Sequence, residues 1–202
     1  MANTSATGGP LVPAAAPAPL EGRGLNDFLQ AWIVGITGLP GRLVRPAWQA
    51  EPPNIPDAGT AWCAFAVTIE GADTYPFVGL EQDGLSSTLQ RHEVLALLCS
   101  FYDLGESGLA QGLAAQMRDG TAIPQNLEYL LAQGMGLIGC EPTVFLPPLF
   151  KERWMMRVDV AVRLRRQVDR TYPVLSVLSG QIELNTDVSL PPREITVTNQ
   201  GA

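Results

Sequence analysis

Residues 153–172, RWMMRVDVAVRLRRQVDRTY, limit the possible folds more than any other stretch of this sequence. Met156, Val158, Val160, Val162 and Leu164 fall on one face of an extended chain, and Arg157, Asp159, Ala161, Arg163 and Arg165 fall on the other. A side-chain period of two fits a strand and no helix, so the segment predicts a long strand, half-exposed, with its apolar face in a core.

A layer to close that core comes from GLNDFLQAWIVGITGLPG, where Leu25, Phe28, Leu29, Trp32, Ile33 and Ile36 recur at helical spacing. The helix is expected to start near Asn26 or Asp27 and to stop at Gly38-Leu39-Pro40-Gly41. RLVRPAW and TAWCAFAVTIEG predict strands on β-branched and aromatic content, and TYPFVGLEQDG a short strand ended by an Asp83-Gly84 turn. In SSTLQRHEVLALLCSFYDLG, Ser87 and Gln90 imitate a helix capping box, but the apolar run Val94–Tyr102 favours a buried strand. ESGLAQGLAAQMRDG and IPQNLEYLLAQG predict two helices broken at Gly120, the second opening at Pro124 and ending at Gly134.

This order contains no sustained strand–helix–strand repeat. The expected class is α+β: a single domain over residues 23–184, with a mostly antiparallel sheet packed by helices on one side. Residues 1–22 are Ala, Pro, Gly, Ser and Thr with few large side chains, and predict a flexible or extended arm. Residues 185–202 predict a polar tail or, at REITVT, a short added edge strand.

Candidates for catalysis are few. His92 is the only histidine, so any nucleophile–histidine pair or histidine metal site would have to be built around it. The glycines of GMGLIG follow a helix rather than a strand, which makes them a turn and not a dinucleotide loop. Asp103, Glu106 and Asp119 fall near helix ends, where carboxylates commonly cap or face solvent. No catalytic residue, metal or cofactor is expected. Cys63, Cys99 and Cys140 stand in apolar contexts and predict buried free thiols, suited to a reducing cytoplasm. The opening residues lack the pattern of a secretory signal, and no apolar run is long enough to cross a bilayer, so a soluble, non-membrane protein is expected.

One charge pattern stands out. Residues 151–170 hold Lys151, Arg153, Arg157, Arg163, Arg165, Arg166 and Arg170, seven of the 13 basic residues, in a chain of net charge -7. Such a stripe suits an acidic face of another subunit, a phosphate backbone or plain solvation. Arginine dominance favours carboxylate pairing, because the planar guanidinium bonds a carboxylate through two donors. Between residues 46 and 56, Pro46, Pro52, Pro53 and Pro56 stiffen a lead-in flanked by Trp48 and Trp62, which anchor it on the domain's own core or on a neighbouring subunit. The candidate interface set is therefore Trp48, Arg157, Arg163, Arg165, Arg166 and Arg170.

Four segments together, LPGRLVRPAWQAEPPNIPDAGTAWCAFAV, TLQRHEVLALLCSFYDLG, MRDGTAIPQNLEYLLAQGMGLIG and RWMMRVDVAVRLRRQVDRTYPVLSVLSGQIEL, resemble the neck or tail terminator proteins of contractile-tailed bacteriophages. The similarity runs from about Leu25 to Leu184. It implies a structural virion protein assembled in the host cytoplasm, a ring, commonly hexameric, at the head-proximal end of tail tube and sheath. It further implies contact with the head connector or stopper protein, and genome DNA passing through without specific binding. Two other readings stay open at this point: a nucleic-acid-binding module using residues 157–170, and a small hydrolase around His92.

Overall fold

A computed structural model of the chain describes residues 3–14, 20–49, 51, 54–80, 85–104, 108–150, 152–174, 179–183 and 194–198. It is an α+β fold. The elements run α1 (Gly22–Thr37), β1 (Val44–Pro46), β2 (Trp62–Ala72), β3 (Phe77–Leu80), β4 (Ser87–Asp103), α2 (Leu109–Gly120) and α3 (Pro124–Leu131). They continue with β5 (Met135–Cys140), β6 (Val144–Phe145), β7 (Leu149–Phe150), β8 (Arg153–Trp154), β9 (Met156–Tyr172), β10 (Ser179–Glu183) and β11 (Glu194–Thr198).

The alternating segment is β9, and β4, the segment with two readings, is a strand of equal length at 17 residues. Both are about three times the usual strand. The main sheet has the order β1-β2-β4-β9-β5, with β3 added to β4 and β6 added to β9. Every pairing described is antiparallel except that of β1 with β2.

The chain falls into two compact units, and the residues of β4 and β9 are shared between them. The larger comprises Pro19–Thr74 and Arg91–Val168. Its core gathers Leu25, Leu29, Trp32, Ile33 and Ile36 of α1 against Phe65 of β2, Leu95, Leu97 and Phe101 of β4, and Val158, Val160, Val162 and Leu164 of β9. Ala110, Ala114 and Met117 of α2, Leu130 of α3 and Met135 of β5 also belong to it. These are the faces that helical and alternating spacing set apart. Gln30 ties α1 to the sheet lead-in, its side-chain amide donating to the carbonyls of Gly41 (2.9 Å) and Val44 (2.7 Å). Trp32 donates its indole N–H to the Asn126 carbonyl at 2.9 Å, so the buried ring keeps a partner.

The helix α1 starts earlier than expected. Gly22, at φ 53°, turns the chain into it after an extended Glu21 whose side chain makes no capping bond, so the Asn26 and Asp27 cap signal is unused. Its end is as expected, at a left-handed Gly38 whose N–H returns to the Val34 carbonyl. Cys63 and Cys99 are buried, but Cys140 is only half-buried because β5 is an edge strand. Asp103 is fully buried at the end of β4 rather than solvated near a helix.

The smaller unit holds residues 1–18, Tyr75–Gln90 and Asp169–Ala202. Here β3 pairs with the start of β4, and the Ser5 and Ala14 N–H groups donate to the carbonyls of Pro173 (3.2 Å) and Thr171 (2.7 Å). In the same unit β11 pairs with β10 from Ser179↔Thr198 to Glu183↔Glu194. The Asp83-Gly84 turn, Pro52, Pro53 and the Pro191-Pro192 break lie outside the described residues.

Two glycines of α2 test the packing in opposite directions. A Cβ on Gly120 would meet Ile36 Cγ2 at 2.4 Å, whereas one on Gly112 would meet nothing within 4 Å. Gly120→Ala should cost about 1–3 kcal/mol through overpacking, and Gly112→Ala should gain about 0.5–1 kcal/mol from helix propensity. Urea unfolding of the two variants checks the opposite signs.

Candidate interaction surfaces

The larger unit has two dissimilar edges. On one side, β9 carries first β5, from Met135↔Arg166 to Cys140↔Val162, and then β6, with Phe145 opposite Val158. The pairing continues outward as a two-stranded ribbon. The Leu146 N–H donates to the Arg157 carbonyl, the Met155 N–H donates to the Pro148 carbonyl, and Leu149 faces Trp154 across β7 and β8. Pro147 and Pro148 remove two donors, which an edge tolerates and a central strand does not. Val144, Phe145, Leu146, Leu149 and Trp154 are all exposed, Trp154 by 71%. Single exposed apolar residues are ordinary, but five within 11 residues make a patch.

On the other side, β1 covers only the first part of β2, from Val44↔Cys63 to Pro46↔Phe65, and one further bond joins the Ala47 N–H to the Phe65 carbonyl. The chain then leaves at Trp48, which is 74% exposed. Beyond Phe65, β2 runs on to Ala72 with β4 as its only strand partner among the described residues. Val67 and Ile69 keep the alternation of the core residues Cys63 and Phe65, yet Val67 is half-buried and Ile69 is 59% exposed. A groove of about 370 Å³ opens there, lined by Leu25, Pro46, Trp48, Val67 and Ile69, with Glu21 at its wall.

Arg166 is also part of that groove. Expected on the exposed interface stripe, it is instead only 5% exposed, because its position in the alternation puts it with Leu164 and Val168 on the inner face. Its guanidinium donates to Glu93 (Nε 2.9 Å, Nη2 2.8 Å) and to the Leu20 carbonyl. A buried charge needs such partners, and here they hold the chain where it enters α1.

The other expected interface residues do not converge on one site. Arg157 is half-buried and donates through two nitrogens to Asp159, both at 2.8 Å, and to Ser100, while lying over the Tyr102 ring. Asp159 is therefore buried rather than on a solvated face, and its carboxylate raises the Arg157 pKa. Arg163 pairs with Glu70 at 2.9 Å. Arg165 is exposed in the direction of Asp73, and Arg170 is half-buried in the smaller unit. Trp62 does anchor locally, stacked on Tyr102 at 4.2 Å, whereas Trp48 is left to solvent.

His92 stands beside Asp73. Its ring Nδ1 lies 3.1 Å from Asp73 Oδ2, and its backbone N–H donates to the same oxygen, which lowers the Asp73 pKa. Burial pushes the Cys63 thiol well above its ordinary pKa and so away from the nucleophilic thiolate. Among the described residues no cluster of His, Cys, Asp and Glu has the makings of a metal site, and no helix is long and apolar enough to cross a membrane.

Removing one partner of the inner ion pair should be costly and removing both less so. Glu93→Ala should destabilise by about 3–5 kcal/mol, and Glu93→Leu with Arg166→Met by far less, since no charge is then left alone. Chemical denaturation of the two variants measures the difference.

No curated protein matches the chain. A family model described as phage neck terminator protein matches residues 23–187, which spans α1 through β10. The chain belongs to the phage neck terminator proteins.

Proposed function

We propose that this protein is the ring-forming terminator of a phage tail. Copies associate head to tail into a closed ring, commonly of six, that caps the head-proximal end of the tail tube and sheath. The ring stops further tail growth and joins the tail to the connector or stopper protein of the head. Genome DNA passes through it without sequence-specific contact. The role is structural, with no catalytic step, and the protein is assembled in the host cytoplasm and carried in the virion neck.

The observation that supports this beyond family membership is the pair of unlike apolar surfaces on opposite sides of one sheet, the exposed ribbon next to β9 and the groove beside β2. A closed ring requires two different patches on each subunit, whereas a two-fold dimer needs only one self-complementary patch. The acidic balance, net -7, suits a passage that must let a polyanion slide. Internal pairing of Arg157, Arg163 and Arg166 with Asp159, Glu70 and Glu93 weakens the case for a phosphate-binding strand.

The test is genetic. Infection with a phage lacking this chain should give filled heads and separate tails, with tube lengths spread beyond the normal value by electron microscopy. Adding the purified chain to such lysates should restore joined particles. Normal infectious particles in its absence would overturn the proposal.

A further inference from the structure

Resting on the ring reading above, we propose that the ribbon at residues 144–154 of one copy seats on the open β2 edge and the Trp48 groove of the next copy.

Among the described residues, both halves of this contact carry exposed apolar side chains. Val67 and Ile69 occupy core-phase positions of β2, yet Ile69 remains 59% exposed next to a Trp48 that is 74% exposed. They are where a continuing apolar layer would rest. Among the described residues β2 has no strand partner on this edge beyond Phe65, where a strand added from a partner can pair. The ribbon supplies both requirements, with extended backbone in β7 and β8 and large apolar side chains at Leu149 and Trp154, which face each other in register.

Charge allows the same pairing. The ribbon presents exposed Glu152 and Arg153 beside Trp154, and on the groove side exposed Glu51 follows Trp48 by three residues, an anion that Arg153 of the next copy can meet. The two surfaces differ in shape and sequence, which makes the contact heterologous and able to propagate round a ring. Aromatic residues at the centre of a desolvated contact carry much of its energy, and Trp154 and Trp48 fill those positions.

Two blocked variants of the full chain test this by light-scattering mass, under conditions where the unmodified chain is multimeric. Trp154→Asp blocks the ribbon and leaves the groove; Ile69→Asp blocks the groove and leaves the ribbon. Each alone should be monomeric, with association weakened at least about 30-fold, and an equimolar mixture should stop at one-to-one dimers, each joined by its single intact contact. Circular dichroism confirms folding, and Trp154→Ala with Ile69→Ala repeats the comparison if an aspartate variant fails to fold. The proposal is overturned if either folded variant keeps the unmodified mass, if Ile69→Asp dimerises alone through paired ribbons, or if Trp154→Asp loses only binding to tail tubes. An unmodified chain that is monomeric alone and also on purified tails would instead overturn the ring reading, and this contact with it.

Discussion

The period-two alternation of β9 is the constraint on which the remaining architecture depends. Its inner face, Val158, Val160, Val162 and Leu164, gives the helices a surface to close on, and α1 meets it with Leu29, Ile33 and Ile36. Burying an apolar side chain fully is worth roughly 1.5–3 kcal/mol, so a row of them fixes the register of the strand. A one-residue slip would send Arg163 and Arg165 into the core. The same strand carries β4 on one side and β5 and β6 on the other, and beyond β6 it leads back into the exposed ribbon.

What makes the subunit suited to assembly is where its layers stop. Val67 is half-buried and Ile69 exposed on β2, and among the described residues β1 pairs only the first part of that strand. Across the sheet, the ribbon extends apolar side chains beyond the cluster that buries Met135 and Val158. A monomer selected for solubility would blunt such features with charges or cover them. The buried Arg166–Glu93 pair beneath the groove adds rigidity at that point, since its guanidinium also holds the Leu20 carbonyl at the entrance to α1.

Much of this was legible in the sequence. Spacing alone placed α1 and β9, and the apolar run Val94–Tyr102 outweighed the capping signal of Ser87 and Gln90 because a strand buried deeply on its core face needs just such a run. The interface was less legible. Counting arginines grouped Arg166 with Arg163 and Arg165, although its even-numbered place beside Leu164 already assigned it inward. The ribbon escaped notice because TVFLPPLF has no period of its own; its strands are defined by partners on β8 and β9 and are interrupted by proline. Trp48 could rest on its own core or face outward as far as sequence goes, since only the early departure of the chain from β2 leaves it exposed.

The proposed role places the function of this neck terminator on the β7–β8 ribbon at one side of the main sheet and the β2 edge at the other. Electron cryomicroscopy of the neck in intact virions tests it most directly. The account predicts a closed ring of this chain at the head-proximal end of the tail, with the ribbon at residues 144–154 of each subunit against β2 and Trp48 of its neighbour. A neck that lacks the chain, or a ring whose subunits meet through other surfaces while both edges remain in solvent, would contradict it.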